Sequence, residues 1–427
     1  VSRARLDALR ADHAAIAAEV RARIGAGAPH RAAVDAAQLD RDLAALALGF
    51  RGWAHRGATG LLRVALGAVF APAVDGPQAA AAALDDRLEI GGAAAVAAVG
   101  DAALVFAPTH GANLDAIVLG MALERAGLAP ALYLAGEHLY RNPLVAAAMR
   151  TQGAVRLDRA RTDRRYLAVV AAYVGALAAR GAPLTIFPGG TRRRDGTLER
   201  ELRLGLIAAA VRAARARGRR AYVVPVTINL QIVLEAAWLV DYHLRGRGHE
   251  RVVGDELFVP GRLTATARRL RALDQRAAVR FGAPIACERG GDVAALGSAL
   301  GAAYRGGAVF FDTHVVGRAL DDLRAAASGR AIPAGAVAAR AWPRPEVERA
   351  VAAVAAALDR HPTDGQRWRP GRAPAAILDG ALAAWAAGHA APPARAAGST
   401  IALVAPRLAW FYANRTRHVG APPAAGG

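Results

Sequence analysis

Between about residues 90 and 310, short apolar runs alternate with stretches of helical period, and this alternation constrains the fold more than any other feature. Runs at 102–107, 131–134, 154–157, 183–187, 222–228 and 277–281 have the length of strands. Stretches at 114–125, 143–151, 164–180, 202–217 and 263–273 have the length and periodicity of helices. Strands joined through helices pair in parallel and need helices on both faces of the sheet. The expected fold class is therefore α/β, a mostly parallel sheet flanked by helices.

The flanks read differently. In residues 1–88, Leu6, Leu9, Ile16 and Val20 recur at roughly helical spacing, and Val34, Leu39 and Leu43 continue after a break at 25–29. A further helix is expected at 61–70, stopped by Pro72, and another over 79–88. Residues 312–420 are helical again, with helices expected at 315–327, 345–359 and 375–387 around a proline- and glycine-rich loop at 361–374. The expected organisation is an N-terminal helical region (1–88), an α/β domain (89–311), a C-terminal helical region (312–420) and a disordered tail (421–427).

The chemistry concentrates at strand ends. The 102–107 run leads into Thr109-His110-Gly111-Ala112-Asn113-Leu114-Asp115, so a histidine ends a strand and an aspartate opens the next helix. Ligands bind at strand ends of open α/β sheets, and an imidazole held by a carboxylate is a general base near neutral pH. The same pair also fits a core-edge histidine beside a helix cap. A second stretch, Phe187-Pro188-Gly189-Gly190-Thr191-Arg192-Arg193-Arg194, runs from a strand into three arginines. Gly189 and Gly190 would let backbone N–H groups approach an anion, and alternate arginines in an extended turn share a side, which suits phosphate. A third, Gly136 through Arg141 followed by Gly153 through Arg159, flanks a strand with arginines at both ends, which also fits a solvated strand edge. A fourth, Val224-Pro225-Val226, places a proline in a strand, which marks an edge, a bulge or a close approach.

Charge narrows the partners. The chain carries 55 basic residues, all of them arginine, against 35 acidic ones, for a formal charge of +20. Nucleic acid, an anionic membrane surface and phosphorylated small molecules all suit such a charge. No helix-turn-helix, zinc-finger spacing or aromatic–arginine interleaving is apparent, so nucleic acid is not an expected partner. A single cysteine, Cys287, excludes an intrachain disulfide and fits a reducing compartment. No signal peptide is expected, since the first twenty residues carry charges throughout, and no apolar stretch reaches spanning length. The longest apolar stretches, 61–74 and 401–412, read as core or interfacial segments.

The four stretches in this order resemble the four blocks of the glycerolipid acyltransferase superfamily. His110 and Asp115 match block one, Gly153 through Arg159 block two, Phe187 through Arg194 block three and Val224-Pro225-Val226 block four. The glycerol-3-phosphate acyltransferase branch is the nearer one, on Thr191 through Leu198, on Pro225 through Asn229 with Val233-Leu234-Glu235, and on Val279 through Ile285. Many members carry arginine after the block-one histidine and a second histidine two residues further, where Gly111 and Asn113 stand here. Block three often carries glutamate where Gly189 stands, and Thr191 replaces a glycine.

The resemblance implies an enzyme that moves a fatty acyl group from acyl-CoA or acyl-carrier protein to a hydroxyl of glycerol-3-phosphate. In it His110 is the base, Asp115 its orienting carboxylate, and Arg159, Gly189, Gly190, Arg192 and Arg194 the phosphate site. It implies no metal and no cofactor beyond the donor thioester. The expected location is cytoplasmic, peripheral at the inner face of the cell membrane, on anionic lipid, with 61–74 and 401–412 as candidate contacts. Rival readings are a lysophosphatidate or dihydroxyacetone-phosphate acyltransferase, or a catalytically silent relative that binds acyl groups or membranes.

Overall fold

The computed structural model describes residues 3–26, 36–57, 86–140, 143–245, 276–288, 293–333, 340–360 and 371–419, with positions 79 and 82. Its central strands are β1 (Leu88–Gly91), β2 (Ala103–Pro108), β3 (Leu132–Gly136), β4 (Ala154–Leu157), β5 (Leu184–Thr185), β6 (Ala221–Leu230), β7 (Ala277–Phe281) and β8 (Ile285–Ala286). They form one sheet in the order β1-β7-β6-β2-β5-β3-β4, with β8 beside β6. Strands β2 to β6 are parallel, while β7 and β8 run antiparallel to β6 and β1 runs parallel to β7. The expected α/β class and all six expected strands are present. The two unexpected strands are short, and each exists by pairing with a longer neighbour: β1 lies on β7, where Glu89 also pairs with Arg280.

Alternation along the strands sorts residues onto two faces. Ala103, Val105 and Ala107 of β2 join a cluster with Val223, Val169, Tyr173 and the N-terminal residues Leu6, Ile16, Val20 and Leu43. Phe106 of β2 joins the other cluster, with Val224, Ile228, Val279, Leu119, Leu239 and the C-terminal residues Val315, Val347, Trp385 and Tyr412. The helical flanks therefore complete the two outer layers of the sheet. Burying each such large apolar side chain stabilises the fold by roughly 1.5–3 kcal/mol.

Pro225 sits in the long central strand β6, where a proline is normally excluded. Its carbonyl accepts from Gly282 N at 2.8 Å, so its nitrogen faces the same neighbour. That neighbour is broken between β7 and β8 at this level, with Gly282 packed on the Pro225 ring. The missing N–H therefore removes no ladder bond to β2, which pairs with β6 on the other side.

The C-terminal region departs from its expected all-helical character. Helices Asp312–Ser328, Arg344–Asp359 and Pro374–Gly388 form, but so does an antiparallel sheet of β9 (Arg340–Pro343), β10 (Ala394–Ala397) and β11 (Thr400–Leu403). The apolar run 401–412 divides into β11 and the helix Pro406–Ala413, which starts at a proline suited to a first helical turn. Ile401, Leu403, Leu408, Phe411 and Tyr412 are all buried. This corrects the expectation that the run could offer a membrane contact: it covers the sheet face that the α/β domain leaves apolar. The other candidate contact, 61–74, lies outside the described residues, as do the helices expected at 61–70 and 263–273, most of the 361–374 loop and the 421–427 tail. Of 79–88, only 79, 82 and 86–88 are described, and Leu88 begins β1. Among the described residues, no helix is long and apolar enough to cross a membrane.

The helix Pro406–Ala413 is locked at Gly196 to the loop that follows the third sequence block. That residue has φ +76°, and a Cβ on it would run into the Phe411 carbonyl oxygen. Gly196→Ala should lower stability by at least about 2 kcal/mol, read as a lower urea midpoint. An unchanged midpoint would refute this docking.

Candidate active site

Parallel pairing brings the C-terminal ends of β2, β4, β5 and β6 to one edge of the sheet. From β2 the chain moves out to β3 and β4, returns as β5 on one side of β2, then crosses to β6 on the other. The end of β2 is thus a topological switch point, where an open sheet leaves a crevice. Thr109 fastens that end: its N–H donates to Val226 O at 2.9 Å, and its hydroxyl accepts from Ile228 N at 3.0 Å. His110 follows at the crevice.

Both sides of the His110 main chain are held by the loop after β5. Its N–H donates to Glu199 Oε1 at 2.8 Å, and its carbonyl accepts from Arg193 N at 2.7 Å. Its ring packs on Phe187, with centroids 4.4 Å apart. Its Nδ1 lies 3.0 Å from Asp115 Oδ2, and that oxygen also accepts from Gly111 N at 2.7 Å and Ala112 N at 2.8 Å. Asp115 is 2% exposed, so the carboxylate is satisfied from within the loop. An oxygen accepting from backbone N–H groups accepts from Nδ1–H too, which leaves the Nε2 lone pair available to take a proton.

The arginines divide as their alternation implies. Arg192 and Arg194 both face the helix Ala236–Arg245, with Cζ atoms 5.7 Å from the Trp238 ring and 3.9 Å from the Tyr242 ring. Arg193 turns away to Asp195 Oδ2 at 2.9 Å and the Thr197 hydroxyl at 2.8 Å. Arg192 is anchored: it donates to the Asn113 side-chain oxygen and lies 3.4 Å from Glu235 Oε1, which accepts from Asn113 N at 2.5 Å. Arg159, after β4, is exposed; desolvation of its guanidinium and the like charge of Arg192 both lower its pKa, so the two cations stand near each other. Arg194 and Arg159 have no carboxylate partner among the described residues.

The two glycines have structural reasons of their own. Gly190 takes φ +71° and closes a turn by donating to Phe187 O at 3.1 Å. A Cβ on Gly189 would lie 2.7 Å from Glu199 Cδ, so no side chain fits there while Glu199 occupies its place. Nearby, Asp163 caps the helix Arg164–Ala179 by accepting from Tyr166 N at 2.8 Å.

Two charged residues of the site, Glu199 and Arg415, have no sequence signal, and a third, Glu235, is marked in the sequence only by the stretch that carries the branch resemblance. Glu199 sits in Leu198-Glu199-Arg200-Glu201, which reads as a solvated stretch, yet it is 7% exposed. Burial pushes its carboxyl up to about 7, against the pull of the His110 N–H, Arg193 and Arg415. Burial also raises Glu235. Arg415, from the C-terminal region, reaches under the loop and donates to Ile228 O at 3.0 Å; desolvation lowers its pKa while Asp115, Glu199 and Asp195 oppose that. Among the described residues, no group of three or more His, Cys, Asp or Glu side chains could hold a metal ion.

Residues 87–229, which contain all four sequence blocks, match the family model described as Acyltransferase. Similar proteins include the glycerol-3-phosphate acyltransferase of Xanthomonas campestris pv. campestris, 30% identical over 185 residues, covering 43% of this chain and 20% of that protein. The protein of that name from Ectopseudomonas mendocina is 30% identical over 187 residues, covering 43% and 21%. The chain thus matches about a fifth of the length of these curated relatives. A solved structure, the 1-acyl-sn-glycerophosphate acyltransferase PlsC from Thermotoga maritima, aligns at 16% identity and a TM-score of 0.32 over 59% of this chain and 86% of that one.

The Asp115 geometry has a measurable consequence. Asp115→Ala strands the Gly111 and Ala112 N–H groups in a buried loop and should cost about 2–3 kcal/mol in urea unfolding. Asp115→Asn retains an acceptor and should cost clearly less; equal losses would show that these hydrogen bonds do not hold the loop.

Proposed function

We propose that the chain transfers a fatty acyl group from acyl-CoA or acyl-carrier protein to a hydroxyl of glycerol-3-phosphate, making lysophosphatidate for phospholipid synthesis. One observation carries the reading: a histidine held by a buried carboxylate at the switch point, with Arg192 and Arg194 on the loop after the adjacent strand β5 and Arg159, after the edge strand β4, close enough to Arg192 to feel its charge. The match to the Acyltransferase family model and the names of the relatives agree with it.

His110 Nε2 takes the proton of the acceptor hydroxyl as the oxygen attacks the thioester carbonyl. Asp115 keeps the ring oriented and stabilises the imidazolium that forms. The tetrahedral intermediate expels a thiolate, and no covalent acyl-enzyme is required. Arg159, Arg192 and Arg194 bind the acceptor's phosphate, with the Gly189-Gly190 turn beside it, and this remote binding positions the hydroxyl. No metal or redox cofactor enters the reaction. The net charge of +20 supports peripheral binding to anionic lipid at the inner face of the cell membrane, where the acyl product partitions.

Thiol release from acyl-CoA, measured with and without glycerol-3-phosphate, tests the reading. Release should depend on this acceptor more than on lysophosphatidate or dihydroxyacetone phosphate; donor binding without turnover on any of them would favour a silent relative. His110→Ala should lower kcat by about a thousandfold or more with an unchanged unfolding midpoint. Arg159→Ala and Arg192→Ala should each lower kcat/KM for the acceptor by about 10–100-fold, chiefly through KM. An unchanged acceptor dependence in both would remove the phosphate role.

A further inference from the structure

Glu199 is the buried ionisable group nearest the histidine that the reaction above leaves unused. Its Oε1 holds the His110 N–H at 2.8 Å, while its Oε2 is buried without a hydrogen-bond partner. Its position excludes any side chain at Gly189. The charged and titratable groups that face it come from four directions. His110 and Asp115 lie on the loop after β2, Arg193 on its own loop, Arg415 on the C-terminal segment, and Tyr304 on the helix Val293–Gly306. None of the cations forms a direct ion pair with it. A surface glutamate merely anchoring a backbone N–H would not need to be held this far from water, and an amide or hydroxyl would anchor it at less cost.

We propose that Glu199 is a positioning residue for acyl transfer: its carboxylate fixes the His110 main chain and places a second negative charge behind the His110–Asp115 pair, which stabilises the imidazolium formed when His110 takes the acceptor's proton. The inference rests on the function proposed above. It places a cost on the fold that the reaction recovers. The Glu199 carboxyl is raised above the usual carboxylate range, so its neutral form is favoured in the folded protein. Stability associated with that neutral form is present below the unfolded pKa, about 4.3, and is lost as pH rises towards 7. The ionised form assists the chemistry over the same range in which it weakens the fold.

The test is Glu199→Gln, which keeps an acceptor for the His110 N–H and removes the charge. Thiol release with acyl-CoA and glycerol-3-phosphate is followed from pH 6 to 9, alongside thermal unfolding at pH 5 and pH 8. The variant should lose about tenfold or more in kcat with little change in acceptor KM. Its rate should rise less between pH 6 and 8 than the wild type's, because only the His110 ionisation remains to drive the rise. Its Tm should equal the wild type's at pH 5 and exceed it by about 2–4 °C at pH 8. Glu199→Asp, which restores the charge, should recover part of the rate and of its rise with pH. A kcat matching the wild type across the range overturns the inference. So does a lower Tm with a rate reduced equally at every pH, because that marks a purely structural anchor. A wild type that shows no acceptor-dependent release with any phosphorylated alcohol overturns the functional reading itself, and is distinguished from the other outcomes by being seen before any substitution.

Discussion

A carboxylate removed from water has to be paid for with hydrogen bonds, and the site depends on how Asp115 meets that demand. One oxygen collects two backbone N–H groups and the histidine Nδ1 within a single six-residue stretch. The loop cannot relax without stranding those donors, so the ring orientation is fixed by the same bonds that satisfy the charge. Two further carboxylates extend this arrangement: Glu199 holds the N–H of His110, and Glu235 holds the N–H of Asn113. Three acids on three different segments therefore define one short loop, and each takes a backbone donor that would otherwise lack a partner in a crevice largely shielded from water.

Such a concentration of acid needs counter-charge, and the chain supplies it from separate places. Arg192 faces Glu235 and Asn113, Arg193 faces Asp195, and Arg415 enters from the C-terminal segment among Asp115, Glu199 and Asp195. The segment carrying Arg415 is itself held by polar contacts in the core. Asn414 donates to Asp195 O at 2.7 Å, and the Tyr412 hydroxyl accepts from Val233 N at 3.2 Å and lies 2.7 Å from His389 Nε2. The C-terminal region is thus part of the electrostatic floor of the site as well as the cover of one sheet face.

Local pattern made the strands, most helices and the His110–Asp115 pair legible, because periodicity of 2 or 3.6 and a strand-end position are properties of neighbouring residues. The parallel order that gathers Arg159, Arg192 and His110 was legible only as an implication of strand–helix alternation. Glu199 and Arg415 were not legible at all. Each lies in a stretch whose composition is that of solvated surface, and its burial is decided by segments far away in sequence. The antiparallel strands at 340–403 escaped for a related reason: Ala394–Ala397 has no alternation of its own and becomes a strand only through pairing with Thr400–Leu403. The apolar run 401–412 was visible as apolar, but whether it faced lipid or core depended on an uncovered sheet face that its own residues do not reveal.

Two of the four positions at which the chain departs from the block pattern it resembles, Gly111 and Gly189, are positions these distant residues reach. Gly111 stands where many members carry arginine, and Arg415 Nη2 lies 3.5 Å from where a Cβ on Gly111 would be. Gly189 stands where glutamate is frequent, and the Glu199 carboxylate fills the space a side chain there would need. At Gly189 the glycine makes room for a group of the charge the pattern would have placed locally, while at Gly111 such a group stands within ordinary contact distance. Without a side chain at 189 the loop comes closer to Glu199, and at both positions the charge arrives on a segment held by its own contacts. The charge balance around His110 is therefore a property of the folded chain more than of the block in which the histidine sits, so reading the blocks alone underestimates how completely the site is furnished.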